Sequence, residues 1–379
     1  MRRVEDTDNE MRRVEDTDNE REEDTMNHHI AKSTLASLVV VSLGLVMIAV
    51  GCSSSPATAQ PAAAAQPAAK SGAPVVWKWA TGTSENSVKG DMQKTWKKVI
   101  EEKTKGQVQV EIYWEGALGA EQKANEAVLQ KAVQMGVAST SNAAAIVPRW
   151  SAIDMPFLIS DGYTGLRKFM DASPGLKELE AESEQKGLKV MGYITQGFRH
   201  LFTTKKQVKV PADAKGLKIR STPSPIEAAY ISAIGSNPSV VDWSEIYLAL
   251  KQGTVDGYNV AYASVNDYKH TDALKYVCEY SIVPILNVVT MNLEHYKSLS
   301  PELKKAIDEA YRDGTMQVLD IDVKSDGVHK ATLEQAGITV YKPADAEMKQ
   351  FNDIVQPVYE KNVNIAPKDW VDKVRTSLK

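Results

Sequence analysis

The stretch GLKIRSTPSPIEAAYISAIG (residues 216–235) predicts a strand followed directly by a helix. Leu217 and Ile219 alternate with polar residues, as in a half-buried strand. Ser224, Pro225 and Glu227 then form a typical helix start, with Ser as the N-cap, Pro in the first turn and Glu placed for a capping box. The apolar residues that follow keep helical spacing up to Gly235: Ile226, Ala229, Tyr230, Ala233 and Ile234. A strand that feeds a helix in this way is the unit of an α/β fold.

Arg220 lies at the carboxyl end of this strand, just before the helix N-terminus. The free N–H groups of a helix N-terminus favour an anion, and a guanidinium adds two parallel donors that suit a carboxylate. Arg220 is therefore a candidate carboxylate-binding residue. A surface arginine with a solvated head group is the alternative that the spacing leaves open.

The segment VVDWSEIYLALKQG (240–253) repeats the arrangement. Asp242 and Glu245 are spaced for a second capping box, and Trp243 falls in the first turn of the helix. A tryptophan at this position is either part of the core or the flat wall of a pocket, and spacing alone does not decide between them.

Similar patterns extend outward in both directions. Strands are predicted at 75–82, 107–114 and 137–140, with helices at 87–106 and 120–136 between them. A strand that passes from one region into another is predicted for LKVMGYITQGFRHLFTT (188–204), and a central strand for SIVPILNVVTMN (281–292). The chain from Ser300 onward is predicted to be mostly helical.

We therefore predict an α/β fold with two lobes that form a clamshell, crossing strands near 196–204 and 281–290, and a C-terminal helical region. Lobe I is predicted to comprise 75–197 and 286–325, and lobe II 198–285 and 326–379. Ligands of open α/β sheets bind at the carboxyl ends of strands, which places Arg199 and Arg220 near a candidate ligand. Closure of the lobes about the crossing strands is expected on binding.

The N-terminal region predicts export rather than folded structure. Residues 1–25 contain an exact ten-residue duplication with five Arg and eleven acidic residues; we interpret them as a spurious or non-structural extension before the true start at Met26. Residues 26–51 have the layout of a signal peptide, and its end, AVGC, resembles the lipobox of bacterial lipoproteins, although Ala49 replaces the usual Leu. Cys52 is thus predicted to carry a lipid, with 52–74 as a disordered tether; an ordinary signal peptide is the alternative.

Other sequence features exclude several classes of function. The formal net charge is −4, of which residues 1–25 contribute −6, so the rest of the chain is nearly neutral and nothing indicates nucleic-acid binding. No nucleophile, phosphate-loop or metal-ligand motif occurs, and the histidines are scattered. We predict no enzyme activity, no metal and no cofactor. Cys278, the cysteine left if Cys52 is lipidated, is expected to be a small buried hydrophobe.

The run GLKIRSTPSPIEAAYISAIGSNPSVVDWSEIYLALKQGTVDGYN resembles the solute-binding proteins of tripartite ATP-independent periplasmic (TRAP) transporters, of the dicarboxylate-binding type. The shared features are a K-x-R strand, a Gly-x-x-Pro turn, an S-E-x-Y-x-A-L-x-x-G helix and a V-D-G strand, and the resemblance extends over about residues 75–345. It implies a periplasmic-binding-protein-like clamshell that captures an organic acid and delivers it to a membrane permease. It also implies that Arg220 clamps the carboxylate, that Arg199 lines the pocket and that Trp243 packs on the ligand.

One departure concerns the ligand. Relatives that bind sugar acids often read V-D-G-Q-E-N-P, whereas this chain reads VDGYNVA, so Val260 occupies the familiar Asn position. Asn259, still a candidate ligand-binding residue, lies one place earlier and is expected to point elsewhere, so Tyr258 is expected to take over that contact. Phe198, Trp243 and Tyr258 together suggest a small acid with an apolar or aromatic body. A lipid-anchored sensor domain or hydrolase on the same scaffold is the alternative function, and the missing nucleophile and metal motifs disfavour the hydrolase.

Overall fold

The computed structural model of the protein describes residues 73–159 and 161–379. The extension 1–25, the signal peptide 26–51, Cys52 and the tether up to residue 72 lie outside the described residues. Within the described ranges, no helix combines the length and the hydropathy needed to cross a membrane.

The secondary structure alternates between strands and helices. The strands are β1 Val75–Ala80, β2 Val108–Tyr113, β3 Met135–Ser139, β4 Leu188–Phe198, β5 His200–Thr203, β6 Lys218–Ser221, β7 Asn237–Val240, β8 Gly257–Val260, β9 Tyr276–Cys278, β10 Pro284–Asn292 and β11 Thr339–Tyr341. The helices are α1 Val88–Lys103, α2 Gln122–Leu129, α3 Thr140–Ala143, α4 Gly162–Ala172, α5 Pro174–Gln185, α6 Pro225–Ala233, α7 Ile246–Gln252, α8 Tyr262–Asp267, α9 Leu293–Ser298, α10 Pro301–Gln335, α11 Asp345–Ile354, α12 Gln356–Lys361 and α13 Lys368–Ser377. Short 3₁₀ turns lie between them at Pro148–Asp154, Pro211–Ala214, Trp243–Glu245 and His270–Asp272.

The first sheet has the order β2-β1-β3-β10-β4. Strand β1 runs parallel to β2 and β3, and β10 is antiparallel to both of its neighbours. The predicted βαβαβ order is confirmed, but the predicted extent of the second helix is wrong, because α2 ends at Leu129 instead of Gly136. Gly136 lies in β3 against α2, where a Cβ atom would come within 3.0 Å of Val128 and 3.1 Å of the Ala124 oxygen.

The second sheet has the order β11-β9-β5-β8-β6-β7. The crossing predicted for 188–204 is confirmed: β4 belongs to the first sheet, β5 belongs to the second, and Arg199 lies between them. The Arg199 N–H donates to the Val283 oxygen at 2.7 Å, and the Arg199 oxygen accepts from the Ile282 N–H at 3.1 Å. The second connection between the sheets, from β9 to β10, is thus paired with the first one at Arg199.

Trp96 on α1 connects three elements of the first sheet's core. At Gly192 in β4, with φ +137°, a Cβ atom would lie only 2.3 Å from the indole, and at Gly314 in α10 it would lie 2.9 Å away. The indole Nε1 donates to the Tyr193 oxygen at 3.3 Å. The two glycines therefore make room for a fully buried indole between strand and helix.

The long helix α10 also contacts the crossing strand. The buried Asp322 carboxylate accepts a hydrogen bond of 2.7 Å from the N–H of Gly197, two residues before Arg199. Burial raises the pKa of Asp322 to about 7, against the effect of the Gly197 hydrogen bond. A carboxyl that resists ionisation therefore supports the backbone where the chain passes between the sheets.

The C-terminal helices pack on both parts of the molecule. Helix α12 contacts α6, beside the second sheet, and the last helix, α13, contacts α4 and α5. On α13, the Trp370 indole donates to the Gly175 oxygen at 3.0 Å. The α/β architecture is as predicted, whereas the residue bounds of the two lobes stay a prediction.

Candidate functional site

Arg199 lies in a network formed by elements of both sheets. Its guanidinium donates to the backbone oxygen of Asn259 on β8 at 3.1 Å and lies 3.5 Å from the Ser141 hydroxyl on α3. Its third partner is the Glu227 carboxylate on α6, at 3.4 Å. Because the residue sits at the strand crossing, its side chain reaches groups from both sides without leaving the protein interior.

Glu227 has a different role from the one predicted. Ser224 does cap the helix, accepting from the Glu227 N–H at 3.4 Å. The Glu227 carboxylate, however, accepts from the N–H of Thr222 at 3.0 Å and faces Arg199, so it does not return to the Ser224 N–H. The predicted capping box is wrong because this carboxylate is only 1% exposed and serves a buried cation.

The charge of Arg199 is compensated within the protein. Burial disfavours the charged guanidinium, but Glu227, Tyr230 and Asp154 outweigh it and raise the pKa of Arg199. Asp154 is itself buried; it accepts from the Ser141 hydroxyl at 2.8 Å and the Thr140 hydroxyl at 3.3 Å. Burial raises the pKa of the Asp154 carboxyl, and Arg199 opposes that shift.

Arg220 is as buried as Arg199, each being 6% exposed, but it has far fewer partners. Its Nε donates to the Val241 oxygen at 2.9 Å. Within the part of the chain that the structure describes, its two terminal nitrogens make no hydrogen bond and no ion pair with protein. Burial lowers the pKa of Arg220, and Glu227 compensates only in part. A buried guanidinium with free terminal N–H groups is a site for an anion.

Aromatic side chains lie beside Arg220. Its guanidinium carbon is 6.0 Å from the centre of the Trp243 ring, which packs edge-on against Tyr268 at 4.9 Å. The buried Tyr258 lies 6.5 Å from Trp243, and its hydroxyl bonds to Nδ1 of His270 at 2.9 Å. Burial lowers the pKa of His270 to about 4, so this wall is uncharged at neutral pH.

The predicted capping box at Asp242 and Glu245 is wrong. Asp242 precedes a 3₁₀ turn at Trp243–Glu245, its side chain makes no cap hydrogen bond, and the α-helix starts only at Ile246. Trp243 thus lies ahead of the helix and is half-buried, packed against the core beside the second sheet and partly accessible to solvent.

Asn259 and Phe198 are placed differently from each other. Asn259 is buried beside Arg199; its Oδ1 accepts from the Tyr280 hydroxyl, and its Nδ2 has no partner within the described residues. Phe198 packs edge-on against Tyr163 at 5.5 Å as part of the core around the strand crossing. The structure therefore brings Arg199, Arg220 and Asn259 into one polar cluster and places Phe198 in the core.

Sequence reasoning missed Glu227, Asp154 and Ser141 as members of this cluster. A signal for Glu227 was available, because it lies on the same helix face as Tyr230 and Ile234 at spacings of three and seven residues, and a carboxylate on an apolar stripe needs a buried partner. Asp154 is the last residue of the 3₁₀ turn Pro148–Asp154, whose sequence carries no comparable signal.

Lys89 was also missed. It is a buried lysine in the first turn of α1; its Nζ donates to Asn287 Oδ1 at 2.8 Å and lies 3.8 Å from the Glu121 carboxylate. Burial lowers the pKa of Lys89, whereas Glu121 raises it. The neighbouring Val88 N–H donates to Asp267 on α8 at 3.1 Å, which joins the two sides of the molecule.

Comparison with known proteins identifies the family. A family model described as bacterial extracellular solute-binding protein, family 7, matches residues 79–364. The chain belongs to this family. The resemblance to TRAP solute-binding proteins drawn from the sequence is thereby confirmed.

A separate search concerns metal ligands. No group of side chains suited to bind a metal ion occurs among residues 73–159 and 161–379.

Individual relatives agree with this assignment. The chain is 28% identical to the 2,3-diketo-L-gulonate-binding periplasmic protein of Escherichia coli over 273 residues, which are 72% of this chain and 81% of that protein. It is 30% identical to a solute-binding protein of Verminephrobacter eiseniae over 69% of this chain and 78% of that one.

Solved structures show the same two-lobed fold. A TRAP periplasmic solute-binding protein from a Bordetella species, with density assigned to pantoate, superposes with a TM-score of 0.74 at 28% identity, covering 80% of this chain and 99% of that one. Another from Shewanella oneidensis, with bound succinate, gives a TM-score of 0.74 at 25% identity, covering 81% and 100%. The protein is therefore a solute-binding protein of the TRAP type.

Proposed function

We propose that this protein captures a small organic carboxylate where its two sheets meet, with Arg220 as the group that binds the carboxylate. The observation that carries the proposal is a guanidinium that is 6% exposed, uses only Nε within the protein and keeps both terminal nitrogens free among the described residues. Those two nitrogens present the paired donors that a carboxylate accepts. The acids named for relatives, pantoate and succinate, have this group.

The other predicted site residues take supporting parts in this proposal. Trp243 and Tyr258 supply an apolar wall for the carbon skeleton, and Asn259 supplies a buried amide donor. Arg199 lines the site with its charge already compensated, and Phe198 supports the strand crossing. The lobes close on the acid and exclude water, which strengthens the ion pair with Arg220.

We further propose that the protein works outside the cytoplasm and passes its ligand to the permease subunits of a TRAP transporter. The family assignment and the signal-like segment 26–51 support this location. Lipidation of Cys52, with 52–74 as the tether, would hold the protein at the membrane beside its permease. Mass spectrometry of the membrane fraction tests the anchor: a product that begins at an acylated Cys52 is expected, and an unlipidated product cleaved elsewhere contradicts it.

A calorimetric comparison of acids and their amides tests the ligand class. A thermal-shift screen of organic acids first identifies a binder, which is then compared with its own carboxamide. The acid is expected to bind at least about 30-fold more tightly, because the neutral amide leaves the Arg220 charge buried without a counter-ion. Equal binding of acid and amide contradicts the proposal.

A further inference from the structure

The two buried arginines do not offer two free positive charges. Glu227 faces Arg199 at 3.4 Å and is 1% exposed, so one guanidinium already has a fixed counter-ion inside the protein. Arg220 has no ion pair among the described residues. Any charge that the cluster offers to a ligand therefore comes from Arg220.

The protonation state of Asp154 decides whether the cluster is neutral or carries one positive charge. Its carboxyl lies in the same network, linked to Arg199 through the Ser141 hydroxyl. With Asp154 ionised, two guanidiniums face two carboxylates and the cluster is neutral. With Asp154 protonated, as its burial favours, the cluster carries one positive charge. The cluster therefore carries two net positive charges in neither protonation state of Asp154.

The surroundings provide no second free cation among the described residues. Lys89 lies 3.8 Å from Glu121, and its Nζ is held by Asn287. His270 beside Trp243 and His200 on β5 are neutral at pH 7, because burial lowers their pKa values to about 4 and about 3. Asp242, next to Trp243, adds a further negative charge on the Arg220 side.

We propose that the site selects monocarboxylates over dicarboxylates and that Glu227 sets this selectivity by neutralising Arg199. The inference rests on the carboxylate function proposed above. A second ligand carboxylate would be buried beside Glu227 without a free cation, and burial of an unpaired charge is costly. A hydroxyl or carbonyl oxygen in its place meets the unpartnered Asn259 Nδ2 instead.

Matched series of acids test the selectivity on the unmodified protein. Two series keep one carbon chain and carry zero, one or two carboxylates: succinamide, succinamate and succinate, and the glutaric equivalents. D-glucuronate and D-glucarate add a six-carbon pair with one and two carboxylates. Binding is measured by calorimetry at pH 7.5, where every carboxylate is ionised. The monoanion is expected to bind at least about tenfold more tightly than the dianion in each series that binds.

The outcomes separate the two proposals. If the tightest ligand of the screen is a dianion that also binds more tightly than the monoanion of its series, the proposed selectivity is wrong while the carboxylate function stands. If the uncharged member binds as well as the monoanion, or if no acid binds, the carboxylate function fails and the selectivity fails with it.

Glu227→Gln tests the residue held responsible. Gln keeps an oxygen that can accept from the Thr222 N–H and removes the negative charge that neutralises Arg199. The preference for monoanion over dianion is expected to fall at least about tenfold. Glu178→Gln is the control, because it removes a carboxylate from a surface ion pair with Lys373 and leaves the arginine cluster intact. An unchanged preference in a folded Glu227→Gln protein rules out the role of Glu227.

Discussion

Arg199 and Arg220 are two arginines of equal burial with opposite electrostatic situations. Arg199, at the strand crossing, contacts a carboxylate, a backbone oxygen and a hydroxyl. Arg220, at the end of β6, has one backbone oxygen and a neighbouring aromatic ring. Burial alone therefore does not distinguish a structural arginine from a ligand-binding one; the number of protein partners of the guanidinium does.

The largest expected effect is the loss of stability in Arg199→Ala. Removing this guanidinium leaves the Glu227 carboxylate buried without a counter-ion, which typically lowers the free energy of unfolding by about 3–5 kcal/mol. Chemical denaturation without ligand measures it. The double variant Arg199→Met with Glu227→Leu is the control and should regain most of the loss, since no unpaired charge remains. Wild-type stability in Arg199→Ala would remove the distinction between the two arginines.

Arg220→Ala is expected to show the reverse behaviour. The ligand carboxylate loses its partner, so affinity should fall by about 2–5 kcal/mol, roughly 30-fold to several thousand-fold. The melting temperature without ligand should change little, because Arg220 makes one hydrogen bond within the described protein. Arg220→Lys should also bind poorly, since a point charge does not reproduce the planar fork. Calorimetry measures the affinity and thermal denaturation of the same samples measures the melting temperature. Near-wild-type affinity in Arg220→Ala contradicts the role of Arg220 as the carboxylate-binding residue.

Asp322→Asn extends the comparison to a carboxyl whose pKa is set mainly by burial and not by a neighbouring cation. Its pKa of about 7 in the folded protein lies above the unfolded value, so the folded state holds the proton between about pH 4 and pH 7. The stability that this proton provides is present at low pH and is lost as the pH rises through 7. The Asn variant should therefore be the more stable protein at pH 8, by about 3–4 kcal/mol, with the difference vanishing near pH 4 as the unfolded chain also becomes protonated. A difference that is independent of pH contradicts this assignment; denaturation curves at both pH values measure it.

The smallest effect is expected for Trp243→Ala. Loss of the half-buried ring removes apolar contact with the ligand, about 1–2 kcal/mol or roughly 5-fold to 30-fold in affinity. The requirement for a carboxylate should remain, because Arg220 is unchanged. Trp243→Phe keeps a flat apolar surface and should retain most of the affinity. If Trp243→Ala instead loses stability and keeps its affinity, the ring belongs to the core and not to the site.

More of the fold than of the candidate site could be predicted from the sequence. Periodicity placed β1, β2 and β10, and the stretch 188–204 predicted the passage between the sheets, because its strand-like pattern is longer than one ordinary strand. It did not show that α2 stops at Leu129, since the close approach of Gly136 to that helix is a tertiary contact. Arg220 was found from its place between strand and helix. Glu227 was misread as a cap, because the same Ser-x-x-Glu spacing serves either a helix N-terminus or a distant cation, and only the packing decides which.

The position of Trp243 gives the protein a built-in optical reporter. Of its seven tryptophans, five are fully shielded from solvent, at 77, 79, 96, 150 and 370, whereas Trp114 and Trp243 are partly exposed. The emission of a shielded indole follows the folded state, and that of a partly exposed indole follows local solvent. Because Trp243 lies 6.0 Å from the Arg220 guanidinium, an acid that displaces water there shifts its emission towards the blue while the five shielded indoles stay constant. Ligand capture is thus expected to be readable from intrinsic fluorescence without any label, and Trp243→Phe should abolish the signal.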